Sequence, residues 1–253
     1  MANILERYGI KEVADVTFYQ INENDPSKPG KPVLYLDTLK VSTIEQTAEE
    51  AEARGGKGNP PLIIWDYGKE ITVTLEDALF SAKSMAIMFG DGSTDNVTTV
   101  TKTFPVNQVT VTGSSFTVEI NRKTYTLSSP SFYDENGSVA STAPTDAASL
   151  ASYAYVTAEM PVEGKSIEIS ASTFPGTYYV TGDTYARSET TGIDEFFQFI
   201  IPKAKMQSEN TITLEAEGDP SVFNMNLRVM RPADGKMMKL VKYDLTGGTE
   251  VMG

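Results

Sequence analysis

Two stretches of strict alternation stand out between residues 33 and 90. Leu39 and Val41 alternate with Thr38, Lys40 and Ser42, and Ile71, Val73 and Leu75 alternate with Glu70, Thr72 and Thr74. Period two marks a strand with one face on a core and the other on a polar surface, and it predicts strands over 33–46 and 62–73. The intervening 47–61 is charged and carries Arg54-Gly55-Gly56-Lys57-Gly58-Asn59-Pro60, so it reads as a long loop. The period then changes. Leu75, Ala78, Leu79, Ala82, Met85, Ala86 and Phe89 fall at helical spacing and predict a helix over about 75–89. Thr74 would be its N-cap, Asp77 would complete a capping box, and Gly90 would stop it in a left-handed conformation. At 1.5 Å per residue this helix would be about 22 Å long, enough to flank one face of a small sheet.

Elsewhere the elements are short. Residues 2–8 suit one helical turn, 13–22 a strand, and 23–32 a proline-rich link. Short Thr- and Val-rich strands are expected over 97–127, with turns at Gly113-Ser114-Ser115 and Asn121-Arg122-Lys123. More strands are expected over 166–170, 178–188, 195–206, 211–217, 222–230 and 237–244, with Gln207-Ser208-Glu209-Asn210 as a hairpin turn. Residues 128–152 are rich in Ser, Ala and Thr and read as a surface insertion with a short helix after Thr145. Many short strands and one long helix give a mainly β class: a β-sandwich or partial barrel with one flanking α-helix, in a single domain over 1–253.

Composition removes whole classes of chemistry. The chain has no histidine and no cysteine, so a Ser-His-Asp triad, a Cys-His pair, a His-ligated zinc and disulfides are all ruled out. Its 34 acidic against 21 basic residues give a net charge of −13, the opposite of a nucleic-acid-binding footprint. No run approaches the length of a membrane span, and the start lacks the pattern of a signal peptide; with no cysteine to form disulfides, folding in a cytoplasm is expected.

What remains as candidate chemistry is thin. Asp91, Ser93 and Asp95 sit at alternate positions, as in a calcium loop. However, Asn96 stands where the loop needs glycine and Lys102 where it needs its last acid, so a plain turn is the better reading and no metal is expected. Lys57 is flanked by glycines but is followed by Gly58-Asn59-Pro60 and a strand, not by the Ser/Thr and helix of a phosphate loop. Asp194 and Glu195 are adjacent, so on a strand they point to opposite faces, a poor arrangement for a general acid and base on one substrate. Tyr178, Tyr179, Tyr185, Phe196, Phe197 and Phe199 suit a sheet core better than a sugar-binding wall. No cofactor is implied and no enzymatic activity is expected.

Two segments carry a family resemblance. One runs from Val41-Ser42-Thr43-Ile44-Glu45 through Arg54–Pro60 and Trp65-Asp66-Tyr67-Gly68-Lys69-Glu70 to Asp77-Ala78-Leu79. The other is Gly218-Asp219-Pro220-Ser221-Val222-Phe223-Asn224-Met225-Asn226-Leu227-Arg228-Val229-Met230-Arg231. Both resemble major tail tube proteins of long-tailed bacteriophages. The resemblance implies a structural virion protein that assembles into hexameric rings stacked into a hollow tube, a conduit for DNA. The inner barrel would be completed by strands of neighbouring subunits. It also implies assembly in the host bacterial cytoplasm, and tape measure, tail terminator and tail tip or baseplate proteins as partners. DNA would pass without specific binding, and no membrane would be involved. Glu49, Glu50, Glu52, Arg54, Gly55, Gly56, Lys57, Gly58 and Asn59 are then expected to form a ring-stacking loop that orders against the next ring. Thr38, Lys40, Ser42, Glu70, Thr72 and Thr74 are expected to share the lumen-facing phase, with Lys40 offset by Glu70. Two readings from other classes stay open: another virion or injection-machine subunit (decoration, fibre or secretion tube), and a carbohydrate-active β-sandwich enzyme.

Overall fold

A computed structural model describes residues 7–90, 92–209 and 222–243. Most of the expected turn at 2–8, together with Asp91, the expected strand at 211–217 and residues 218–221 of the second family-like segment, lies outside the described residues. In chain order the strands and helices are β1 (Tyr8–Ile10), β2 (Asp15–Ile21), β3 (Pro29–Leu36), β4 (Leu39–Arg54), β5 (Pro61–Asp77), α1 (Ala82–Phe89), β6 (Asp95–Pro105), β7 (Val109–Thr112), β8 (Ser115–Ile120), β9 (Lys123–Thr126), β10 (Ser128–Tyr133), α2 (Ala147–Leu150), β11 (Tyr155–Ser166), β12 (Thr177–Ser188), β13 (Asp194–Met206), β14 (Phe223–Val229) and β15 (Lys239–Tyr243). The protein is mainly β, as the alternation predicts, and the strands among the described residues do not close a barrel. They form two compact units, residues 1–94 with 167–253 and residues 95–166.

The first unit is a nine-stranded sheet in the order β3-β2-β12-β13-β14-β5-β4, with β1 added to β12 and β15 to β13. Its apolar face is one cluster in which Val16, Phe18, Val73, Val180, Ile201, Met225 and Leu227 are wholly buried together with Ile87 and Met88 of α1. The tightest fit is at Gly182. It is paired across the ladder with Phe199, and a Cβ there would come within 2.1 Å of the phenyl ring. The second unit holds two three-stranded sheets, β10-β11-β6 and β7-β8-β9, around a separate core. The stretch 128–152 falls inside it, and the short helix expected after Thr145 is α2, capped by Asp146 through the Ser149 N–H.

Two expectations need correction. The 47–61 stretch is not a long loop. Residues up to Arg54 belong to β4, residues from Pro61 to β5, and only the tip turns. Its Ala- and Glu-rich run has low strand propensity by itself, but pairing with the β-branched and aromatic run Leu62–Tyr67 overrides it. The helix likewise starts at Ala82 rather than near 75. Leu75 continues the period of Ile71 and Val73 and pairs with Met225, so the sheet claims the residues on which both periods coincide. Ser81, not Thr74, is the N-cap, in a reciprocal capping box with Ser84. Gly90 ends the helix at φ −156°, so the left-handed residue is Gly92 (φ 84°), whose N–H reaches the Ala86 carbonyl.

Core and tip should respond very differently to mutation. Leu75→Ala, at a fully buried site, should lower unfolding free energy by about 2–5 kcal/mol in a denaturant titration. Gly182→Ala should cost about 1–3 kcal/mol through overpacking against Phe199. Ile63→Ala, at 52% exposure, should stay within about 0.5 kcal/mol of the parent.

Candidate assembly surface

β4 and β5 together form the longest hairpin of the protein. At its base β5 pairs with β14 from Thr72 to Asp77, which anchors the hairpin in the sheet. From Pro61 to Lys69, β5 pairs with β4 alone. The outer half is therefore a two-stranded arm with both faces in solvent. Register separates those faces. Ala51 and Ala53 lie opposite Trp65 and Ile63, and Glu49 opposite Tyr67; Glu50 and Glu52 lie opposite Asp66 and Ile64. Leu62, Ile63, Ile64, Trp65 and Tyr67 are each at least half exposed. This consecutive apolar run is the surface feature that sequence reading missed. The run was legible as a strand, but only the absence of a third strand over it among the described residues shows that its side chains are uncovered.

The tip is tightly built. Gly55 N–H reaches the Pro60 carbonyl at 3.2 Å and Asn59 N–H the Gly56 carbonyl at 3.2 Å. Gly56, Gly58 and Asn59 all take positive φ, a region open to glycine and tolerated by asparagine, which explains the Gly-Lys-Gly-Asn spelling. Arg54 pairs with Glu52 across one residue, and Lys57 sits between the two left-handed glycines. Of the residues expected in a stacking loop, Glu49, Glu50, Glu52 and Arg54 lie on the arm's strand, and Gly55, Gly56, Lys57, Gly58 and Asn59 form its tip.

The expected polar set is divided by a β-bulge. Leu39 pairs with Asp77 and Val41 with Glu76, so Lys40 is an extra residue on β4 and the phase changes there. Beyond it Ser42 faces the same side as Leu75, whereas Thr43, Glu45 and Thr47 share the side of Thr74, Thr72 and Glu70. Thr38 donates to the buried carboxylate of Asp77 at 2.5 Å, so its hydroxyl is engaged at the hairpin base. Glu70 pairs with Arg228 of β14 at 2.7 Å rather than with Lys40. Thr74 donates to Asn226 at 3.1 Å. By register, Asn224, Asn226, Arg228 and Lys205 extend this polar face across β14 and β13. On β5 and β14 it carries no aromatic residue, and Glu45, Glu70 and Glu76 stand against Arg228 and Lys205; farther along the same face β12 and β13 place Tyr185 against Phe196.

The other candidates serve the fold. Tyr178, Tyr179 and Phe199 are buried, and Tyr178 meets Phe18 edge-on at 5.8 Å. Tyr185, Phe196 and Tyr243 form a cross-strand row with 5.4 Å between neighbouring rings. Asp194 takes a two-pronged contact from Arg187 at 2.6 and 2.7 Å, and Glu195 pairs with Lys242, which also donates to the Tyr8 hydroxyl at 2.7 Å. Asp95, from the calcium-like turn, is the first residue of β6 and pairs with Ser166.

Comparison with known proteins adds two findings. A family model described as the YomU/Tube protein family matches residues 8–242. The chain is also 28% identical over 263 residues to the tail tube protein of Bacillus phage SPR, an alignment covering 95% of each.

The Arg187–Asp194 contact at the β12–β13 turn generates a pH prediction. The guanidinium holds the Asp194 carboxyl below the ordinary 3.8, so its contribution is present above that value and is lost as pH falls through the depressed value. Amide protection around 188–194, corrected for intrinsic exchange, should therefore fall in acid. Asp194→Asn should remove that pH dependence while leaving weaker protection at neutral pH.

Proposed function

The chain belongs to the YomU/Tube protein family, and on that premise we propose that it polymerises through its arm into stacked hexameric rings forming a phage tail tube through which DNA passes. Membership of this family makes the chain a structural tail tube protein, a component of the phage virion. The observation that carries the proposed reading is the arm: a ribbon that pairs with no third strand among the described residues and exposes Leu62, Ile63, Ile64, Trp65 and Tyr67. A partner that covers this ribbon supplies what the monomer lacks, and a second copy of the chain is the partner that a tube provides.

The sheet contributes in two further ways. Its order ends on β3 and β4, each with one unpaired edge among the described residues, so strands of neighbouring subunits can extend it into a closed inner barrel. Its polar face, with Thr72, Thr74 and Glu70 joined by Asn224, Asn226 and Arg228, suits a lumen. The Glu70–Arg228 pair and the mixed charges leave phosphates little to grip, and the β5–β14 part of this face offers no ring for base stacking. Ser42, on the side of buried Leu75, is left out of this lumen set, and Lys40 stands at the bulge at its edge. In this account residues 1–94 and 167–253 are the tube-building part, assembly takes place in the host cytoplasm, and the tape measure, terminator and tip proteins meet the ends of the tube. Catalysis has no part in it.

Two experiments test this reading. Thr47 and Glu70 are ladder partners, so replacing 48–69 by Asn-Gly should preserve the register and leave a folded chain that forms no tubes in electron micrographs; normal tubes from this variant would give the arm some other role. Because the chain lacks cysteine, single cysteines can report the faces. Thr72→Cys should react with a bulky maleimide in the monomer and be shielded in tubes, and Val73→Cys should react slowly in both. Equal labelling of Thr72→Cys in monomer and tube would remove the polar face from the lumen.

A further inference from the structure

Residues 95–166 carry a core of their own. Phe104, Phe116, Phe132, Leu150 and Val156 belong to one buried cluster drawn wholly from this segment, and the cluster of the nine-stranded sheet takes no residue from it. Ring contacts are internal too: Phe116 lies 4.7 Å from Phe132, and Phe132 5.9 Å from Tyr153. Every ladder of β6 to β11 runs to another of these strands. The segment is of a length at which single domains fold unaided.

The two ends of the segment meet as ladder partners. Asp95 pairs with Ser166, Asn96 with Lys165 and Val97 with Gly164, and the Lys165 ammonium donates to the Asn96 side-chain carbonyl at 2.6 Å. Antiparallel partners have Cα atoms about 4.5–5.5 Å apart. A single peptide step is about 3.8 Å, so a two-residue turn can join residue 95 to residue 166 without displacing either. The chain thus enters and leaves this separately cored segment at almost one point.

We propose that residues 95–166 are a self-folding module that the tube-building part carries but does not need, at a position where one domain can be removed or exchanged for another. That the module unfolds as its own cooperative unit stands on the structure alone; that tubes form without it rests on the function proposed above. The first test uses the full-length chain. Phe132→Ala should speed hydrogen exchange throughout 95–166 and leave β2, β12 and β14 protected as in the parent, whereas matching acceleration in those strands would overturn the proposal. The second replaces 96–165 by Asn-Gly. This variant should keep the exchange protection of β2, β12 and β14 and, where the parent forms tubes, form them with the same ring spacing. Loss of protection in those strands, or loss of tubes the parent makes, would overturn it. Failure of the parent itself to form tubes would sink the tube reading and leave the exchange result to decide the module.

Discussion

A two-stranded ribbon cannot bury its own faces. Beyond Glu70, β4 and β5 pair only with each other, and no third strand among the described residues shields the pair. Isolated hairpins of this kind are marginally stable in water. The base of the hairpin is fixed by what surrounds it: Ile71, Val73 and Leu75 go into the core, and β14 pairs alongside. The arm is fixed only by its own ladder and the Gly-rich tip. Leaving five large apolar side chains half in water forgoes roughly 1 kcal/mol each relative to burial. That uncovered surface is what makes the monomer look unfinished, and covering it is the driving force available to assembly.

Charge sharpens this constraint. Copies of a chain with net charge −13 repel one another at long range. At physiological ionic strength that repulsion is screened beyond about 8 Å, so short-range apolar contact can prevail once surfaces meet. The arm combines both features, with Glu49, Glu50, Glu52 and Asp66 interleaved among Ile63, Ile64, Trp65 and Tyr67. The polar face of the sheet is different in kind, since its charges are paired or mixed, as Glu70 on Arg228 illustrates, and the Thr74 hydroxyl is engaged by Asn226. One end of the same hairpin is thus suited to contact and the other to lining a passage.

Much of this was legible from periodicity. The alternation at Ile71, Val73 and Leu75 gave the buried phase of β5 correctly, and the β-rich class followed from the density of short strands and turns. The errors have specific physical causes. Leu75 satisfies both a two-residue and a 3.6-residue period, and only pairing with Met225 decides between them. The Ala-Glu run of β4 lacks strand propensity and is held extended by Leu62–Tyr67 across from it. The bulge at Lys40 breaks the phase between Thr38 and Ser42, and no local signal in Thr-Leu-Lys-Val-Ser marks an extra residue. Of the candidate site, the tip was legible through its glycines. The exposure of Trp65 was not, because a strand buried on both sides and one exposed on both sides are written in the same residues.

Trp65 is the single tryptophan of the chain and lies on the arm at 52% exposure, so its fluorescence reports the central claim directly. Emission and acrylamide quenching should be measured on the monomer and followed through assembly in the same solution. The account predicts a solvent-exposed, readily quenched indole in the monomer that shifts to shorter wavelength and becomes protected as tubes form. Tubes in which the emission and quenching of Trp65 stay those of the monomer would contradict it, because the arm would then be uncovered in the assembled state.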